Sequence, residues 1–540
     1  MGKPGGGASL SSTLLKRVLP SCEQKVLLVD FAVYNPDESS LVSSLDQTTW
    51  AYRCGFFKPE TVNFMIREHE GKGNGMGTRT PLSPGIRALP ADLSYDACLE
   101  ESHMVMFDVA EKAMAAAGVK PREVDIVVTV SGFSALPSLS SAVASHFSMR
   151  SDVECFSLSG HGCPGGLVGV GLTQQLLLAK TKGGRLALLV INENTTTGFY
   201  RGNEEVFLPS NVLFRMGGAA CIMSTRSKDK ARAKYQLEHV MRILYTDNKA
   251  HSCIGYRNDS EGHKGVYIDQ EVLKNAAAKA ITGNLRRLGP SVLPWSEMMK
   301  VARNPRYKPD FSKAFQHIAV HPGARVIIDR VAGAMRFGDK ARQPSIDTLE
   351  RYGNTSASST FYIMAYIERN TGLKRGDKVL QVSMGTGFKC ISTVWRARRR
   401  ISTQHEAWAP ATQPYGRYAS GWLRPRALAR AVELETAEKG ADAETTKALA
   451  ALLASLKLDA DGNEVQTGPC GNPGNHRSPK GSSVGSSTGG SMPPTPEKPS
   501  PNASPLAKLA SVELASHQLE AAIPPLDLEG ADVPKGAAVP

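Results

Sequence analysis

Short runs of apolar, often β-branched residues punctuate the first 400 positions: Val26–Val33, Val124–Val130, Leu186–Ile191, Ile318–His321, Val379–Met384 and Ile391–Val394. Each has strand length and is continuous rather than alternating, which predicts strands covered on both faces. Between them apolar positions recur every three or four residues, predicting helices over Ala97–Ala117, Leu167–Lys180 and Thr360–Asn370. Gly118 is placed to cap the first of these. Strands alternating with helices predict an α/β fold of parallel sheets with helices on both faces.

The pattern changes towards the ends. Residues 1–24, rich in Gly, Ser and Lys, read as a disordered N-terminal segment. Residues 401–465 read as a helical extension, with the clearest helical spacing over 423–457. Residues 466–540 read as a low-complexity, largely disordered tail, with a short helix expected over 504–521. No apolar run approaches the roughly 18 residues of a membrane-spanning helix. Met1–Cys22 lacks the apolar core of a secretory signal.

Composition narrows the classes. Of 540 residues, 41% are hydrophobic and 21% charged, enough for a sizeable core. The formal net charge of +13 admits nucleic acid, an anionic membrane surface or a polyanionic small molecule such as a coenzyme A ester. Zinc-finger spacing and RNP-like aromatics are both missing, which argues against nucleic acid. The tight cluster Arg396, Arg398, Arg399 and Arg400 reads as solvated surface, with anionic lipid as the alternative. Nine scattered cysteines without CxxC spacing point to free thiols in a reducing compartment, not to a disulfide framework or a cysteine zinc site.

The most informative stretch is Phe156-Ser-Leu-Ser-Gly-His-Gly-Cys163-Pro-Gly-Gly-Leu. A short strand, Val153–Leu158, runs into a glycine turn, then Cys163, then a helix. A thiol there meets the positive end of a helix dipole, which favours the thiolate. The small neighbours let a substrate carbonyl approach backbone N–H groups. A buried structural cysteine in a tight turn fits the same residues equally well. A thiol nucleophile needs a base and a polar partner. His321 closes an apolar strand just before Pro322-Gly323, where ligands meet α/β sheets. His317, four residues earlier on the same face, is expected to sit deeper and reads better as a structural histidine. The pair lacks an evident third metal ligand. Asn354 precedes a helix, so it is either an N-cap or an amide donor to an oxyanion beside His321. The turn Gly385-Thr-Gly387-Phe388-Lys389 follows a strand and could supply an oxyanion N–H or hold a phosphate.

Taken together these motifs resemble the plant-type 3-ketoacyl-CoA synthases, the condensing enzymes of very-long-chain fatty acid elongation. The likeness extends over residues 24–400. It is carried by Val29-Asp-Phe-Ala-Val-Tyr-Asn-Pro36, Gly75-Met-Gly-Thr-Arg-Thr-Pro-Leu-Ser-Pro, Pro137-Ser-Leu-Ser-Ser, Asn192-Glu-Asn-Thr, Leu213-Phe-Arg-Met-Gly-Gly-Ala-Ala, Gly353-Asn-Thr-Ser-Ala-Ser-Ser and Gly385-Thr-Gly-Phe-Lys-Cys. The resemblance implies a thiolase-like fold, two similar βαβαβαββ halves in αβαβα layers. These would be residues 25–230 with the nucleophile and 231–400 with the His and Asn. It also implies a homodimer, and Cys163, His321 and Asn354 as the catalytic set, with His317 as an accessory histidine. The implied reaction joins malonyl-CoA to a long-chain acyl-CoA with loss of CO2, using no cofactor and no metal. The implied partners are a ketoacyl reductase, a dehydratase and an enoyl reductase, not nucleic acid.

The sequence departs from the family in three ways. The family usually begins with two transmembrane helices, which residues 1–24 do not resemble. The endoplasmic reticulum membrane is therefore implied by resemblance alone, against a peripheral or cytosolic placement. Glu350 stands where the family has a histidine, and a carboxylate there is expected to favour the charged form of His321. Thr246-Asp247 occupies the position of another family histidine. Two alternative functions stay open. One is a type III polyketide synthase or another ketoacyl synthase of the same fold. The other is a catalytically silent scaffold subunit of an elongase complex.

Overall fold

Residues 25–70, 79–179, 183–304, 307–410 and 423–439 are described in the computed structural model. The N-terminal segment, the low-complexity tail, the short helix at 504–521, residues 440–457 of the helical stretch and positions 75–78 of the glycine loop lie outside them. In chain order the strands are β1 (Leu27–Val33), β2 (Leu41–Ser43), β3 (Arg79–Pro81), β4 (Ile126–Ser131), β5 (Glu154–Ser159), β6 (Leu186–Asn192), β7 (Gly218–Ser224), β8 (Tyr235–Leu244), β9 (Ile254–Asn258), β10 (Lys264–Ile268), β11 (His317–Val320), β12 (Lys378–Gly385) and β13 (Lys389–Ala397). β2 and β3 form a small antiparallel ribbon, as do β9 and β10. The other nine make one sheet, in the order β11-β12-β13-β8-β1-β7-β6-β4-β5.

The fold is α/β and duplicated. Outward from the β1–β8 contact (Leu27 opposite Gln236, Leu28 opposite Tyr235), one half runs β1, β7, β6, β4, β5 and the other β8, β13, β12, β11. Each half places its first strand at the junction, then its last, then the one before. Among the described residues the second half has no counterpart of β5; near that point the chain makes an isolated bridge between Asn354 and Phe214. Helix Gly165–Leu178 packs on β4 and β6 of its own half and on β13 of the other. Helix Ser359–Tyr366 likewise touches β11 and β12, then β1 and β7. These two helices form the central layer. Tyr95–Ala117 covers β1, β6 and β7 from outside, and Gln270–Val292 covers β8, β12 and β13. The result is the αβαβα layering of the thiolase-like fold.

Every residue of β1, β4, β6 and β7 is buried, as continuous apolar runs require when helices lie on both faces. The expectation of parallel sheets is corrected to a mixed sheet. Among the described strands of the sheet, β4–β5, β4–β6 and β11–β12 pair in parallel and the other neighbours pair antiparallel. The reason lies in the connections. Only Thr386, Gly387 and Phe388 separate β12 from β13, too few for a crossover, so the two strands form a hairpin. Gly387 takes the left-handed conformation such a loop needs, at φ 68°. Gly118 caps Tyr95–Ala117 as expected, at φ 57° with its N–H donating to Met114 and Ala115 carbonyls. The helix expected over Thr360–Asn370 is α-helical only to Tyr366 and continues as a π-helix over Ile367–Thr371.

Candidate active site

Cys163 stands in the turn between β5 and helix Gly165–Leu178. Two glycines let the two halves close over it. A Cβ on Gly162 would lie 2.4 Å from Thr386 Oγ1, and a Cβ on Gly385 would lie 3.2 Å from Cys163 Cβ. The Ser383 hydroxyl donates to the Cys163 carbonyl at 2.9 Å, tying β12 to the same turn.

Asn354 and Ser356 come to the thiol from the segment before helix Ser359–Tyr366. The Asn354 backbone is fixed by Leu213 and Arg215: its N–H donates to Leu213 O, and its carbonyl accepts from Arg215 N–H, both at 3.0 Å. Arg215 is itself buried, donating to Thr80 Oγ1 at 2.7 Å and Gln47 Oε1 at 2.9 Å. Asn354 Oδ1 accepts from Ser356 N–H at 2.8 Å, an Asx turn. That leaves the amide NH2 end to hydrogen-bond the Cys163 sulfur. The helix begins later, with Ser358 at its N-cap position, so Asn354 does not cap it. Ser356 adopts φ 51°, an uncommon conformation for a residue other than glycine and one that clusters at functional sites. Its Oγ lies 3.6 Å from Cys163 Sγ.

His321 follows the last residue of β11. Its backbone N–H donates to Val382 O at 2.8 Å, one residue before Ser383, so β12 links His321 to the Cys163 turn. The side chain is buried, and among the described residues its Nδ1 has no partner. Burial alone pushes its pKa down to about 4, so the ring is neutral. The expectation that Glu350 would favour the charged form is thus corrected. Cys163 also departs from expectation. Loss of solvent pushes its thiol up to about 11; the Ser356 hydroxyl and Asn354 amide oppose this, and the Glu193 charge adds to it. Burial thus works against the thiolate that a helix terminus would favour.

A family profile described as FAE1/Type III polyketide synthase-like protein matches residues 18–305, and one described as 3-oxoacyl-[acyl-carrier-protein] synthase III C terminal matches residues 312–397. 3-Ketoacyl-CoA synthase 6 of Arabidopsis thaliana is 36% identical over 404 residues, covering 72% of this chain and 80% of that relative. The chain belongs to the 3-ketoacyl-CoA synthase family. It is an acyl-condensing transferase of fatty acid elongation. Probable 3-ketoacyl-CoA synthase 20 of Oryza sativa subsp. japonica is also 36% identical, over 70% of this chain and 74% of that relative. Among solved structures, a fungal type III polyketide synthase aligns with a TM-score of 0.54 at 18% identity, and a type III pentaketide synthase from Neurospora crassa with 0.53 at 17%. Each covers 69% of this chain and 100% of its own, a likeness of fold.

The remaining candidate residues of the synthase are placed as follows. His317 is the first residue of β11, with Nε2 3.5 Å from Asp377 Oδ2. Four residue steps along the strand, about 13 Å, separate it from His321. The structure does not bring it to Cys163. Glu350 lies in the last turn of helix Asp339–Tyr352, partly buried. Asp247 serves as the N-cap of helix Asn248–Ser252, accepting from Ala250 N–H at 2.9 Å. Gly385 packs against Cys163, Gly387 faces Lys389 and His251, and Phe388 is fully buried. In the basic cluster, Arg396 pairs with Glu238 and Arg398 donates to Lys230 O. Among the described residues no three His, Cys, Asp or Glu side chains converge as a metal site requires, and no helix is long and apolar enough to cross a membrane.

Sequence reasoning missed two groups of residues. Glu193 follows β6 and accepts from Gly132 N–H; burial pushes its carboxyl up to about 7, and Oε1 has no partner. The stretch Asn192-Glu-Asn-Thr marked it only through resemblance. Ser356, His161 and Lys389 were passed over because each lay beside a residue with a clearer claim.

Proposed function

We propose that this synthase joins malonyl-CoA to a long-chain acyl-CoA and releases CO2 and a 3-ketoacyl-CoA two carbons longer. Cys163 attacks the acyl-CoA thioester. A bond forms from its sulfur to the acyl carbon, the bond to the coenzyme sulfur breaks, and the thiol proton ends on that leaving sulfur. A thiol with a pKa of about 11 does not ionise alone near neutral pH, so the neutral His321 ring accepts the proton as attack proceeds. Malonyl-CoA then enters, its thioester oxygen accepting hydrogen bonds from the Asn354 amide and the His321 ring. The bond to the carboxylate breaks, CO2 leaves, and the electron pair passes into an enolate held by those donors. The enolate carbon attacks the Cys163 thioester and expels the thiolate, which regains a proton. The step calls for no cofactor.

The observation that carries this reading is the convergence of Cys163, Asn354 and Ser356 on a turn tied by β12 to the strand that ends at His321. The reading includes a homodimer at the endoplasmic reticulum membrane, working beside reductase and dehydratase activities that process the keto product. The test is incubation with a panel of acyl-CoAs and labelled malonyl-CoA. One two-carbon extension and one CO2 per turnover are expected. Several extensions before release, or no product with any acyl-CoA, would overturn the proposal.

A further inference from the structure

The turn that presses Gly385 against Cys163 presents Gly387 to two basic groups. A Cβ there would lie 3.1 Å from Lys389 Nζ and 3.7 Å from His251 Nδ1. Lys389 Nζ donates to Thr386 O at 2.8 Å, and Thr386 is the residue whose hydroxyl rests against Gly162. Lys389 is half-buried, and among the described residues no carboxylate pairs with it. His161 stands two residues before Cys163. Burial lowers its pKa and the nearby Lys389 charge lowers it further, and among the described residues its buried Nδ1 has no partner. Three basic side chains from three separate elements thus surround one turn beside the nucleophile. A half-buried ammonium without a counter-charge costs free energy. The fold does not require that charge, because any neutral donor would satisfy Thr386 O.

We propose that Lys389, His161 and His251 form an anion subsite beside Cys163 that holds the acidic group of the incoming CoA thioester. The malonyl carboxylate and a coenzyme phosphate share this chemistry. The position favours the carboxylate, which is one bond from the carbon that must reach the Cys163 thioester, whereas the pantetheine arm separates the phosphates from it. The inference rests on malonyl-CoA condensing at Cys163. It carries a kinetic signature. A contact to the carboxylate exists in the ground state and is lost as CO2 leaves, so it lowers KM without raising kcat.

The test uses the full chain and the variant Lys389→Gln, which keeps a donor for Thr386 O and removes the charge. Acylation of Cys163 at saturating acyl-CoA is measured by intact mass. Steady-state rates then follow with malonyl-CoA and with malonyl-pantetheine. The expected result is normal acylation, a KM for malonyl-CoA raised about ten-fold or more, and a kcat unchanged or higher. Lys389→Arg should restore the KM, and His161→Gln should raise it less. A rise with both thioesters assigns the carboxylate; a rise confined to malonyl-CoA assigns a phosphate. Normal acylation with KM unchanged for both thioesters overturns the subsite alone. So does an equal loss of acylation and condensation that Lys389→Arg does not rescue. No acylation in the unsubstituted protein overturns the reading of the site and the subsite with it.

Discussion

At the junction of the two halves, Lys234 Nζ reaches Asp30 Oδ1 at 2.5 Å and Glu368 Oε2 at 2.8 Å, while His405 Nε2 meets Glu368 Oε2 and the Tyr235 hydroxyl donates to Glu368 Oε1, at 2.9 Å each. At Cys163, by contrast, buried polar atoms are left without partners: His321 Nδ1, His161 Nδ1 and Glu193 Oε1. The two clusters differ less in burial than in completeness. The first gives both Glu368 oxygens partners within the protein, and the Lys234 ammonium also lies 5.3 Å from the Phe31 ring. It pins β1 and β8 to the π-helix and to the segment carrying His405. A completed network of this kind rigidifies a core. On the proposed function, a substrate would supply the partners missing from the second; unsatisfied buried atoms in a native fold call for an explanation of this kind.

The sharpest way to break this contrast is to remove one member of each cluster. Cys163→Ala should abolish condensation, by at least about a thousand-fold, and leave the urea midpoint nearly unchanged. Glu368→Ala should do the reverse, costing about 3 kcal/mol of stability because it removes one of the two carboxylates that hold the buried Lys234 and leaves the Tyr235 hydroxyl without its acceptor. Its turnover per folded molecule should stay close to normal. Urea titration and active-site titration of the two variants check both halves of the comparison. If Glu368→Ala removed activity at unchanged stability, the two clusters would not be separable in this way.

The pH dependence of stability distinguishes them further. Glu368 is held down to about 2 in the folded protein, chiefly by His405 and Lys234, which overcome its desolvation. Its folded pKa lies below that of an unfolded glutamate, about 4.3. Its stabilising contribution is therefore complete above that value and is lost as pH falls towards 2. Replacing Glu368 with Gln should flatten this part of the stability profile, measured by urea midpoints between about pH 5 and 3.

A smaller effect is expected at the unsatisfied cluster. Glu193, with its carboxyl pushed up to about 7, opposes ionisation of Cys163 when charged. Glu193→Gln should speed alkylation of Cys163 by iodoacetamide a few-fold above about pH 7, and make no difference below pH 6, where the acid is already neutral. In the unsubstituted protein the alkylation rate should still be climbing at pH 9, because the thiol titrates near 11. A rate that levels off by pH 7 would mean that the helix terminus, not burial, governs the thiol.

Much of this was legible in the chain. The continuous runs of β1, β4 and β6 announce strands covered on both faces, and the glycines around Cys163 announce a turn into a helix. β8 was not legible, because Glu238, His239 and Arg242 interrupt its apolar residues and only part of the strand is buried. The mixed sheet follows from the three-residue β12–β13 loop, which is shorter than the six residues, Gly385–Cys390, between the apolar runs because pairing extends both strands past those runs. Cys163 and Asn354 could be read as candidates. Their ionisation states and hydrogen-bond partners could not, since desolvation and the Ser356 contact arise only when residues almost two hundred positions apart meet. Asp247 shows the converse: a position of interest by comparison turns out to be a helix cap.

The most direct measurement is the mass of the peptide containing Cys163 after brief exposure of the full chain to a long-chain acyl-CoA. An increase equal to the acyl group on Cys163, discharged on addition of malonyl-CoA with appearance of the 3-ketoacyl product, is the predicted result. An acyl group found on a different cysteine, or turnover that persists in Cys163→Ala, would contradict it.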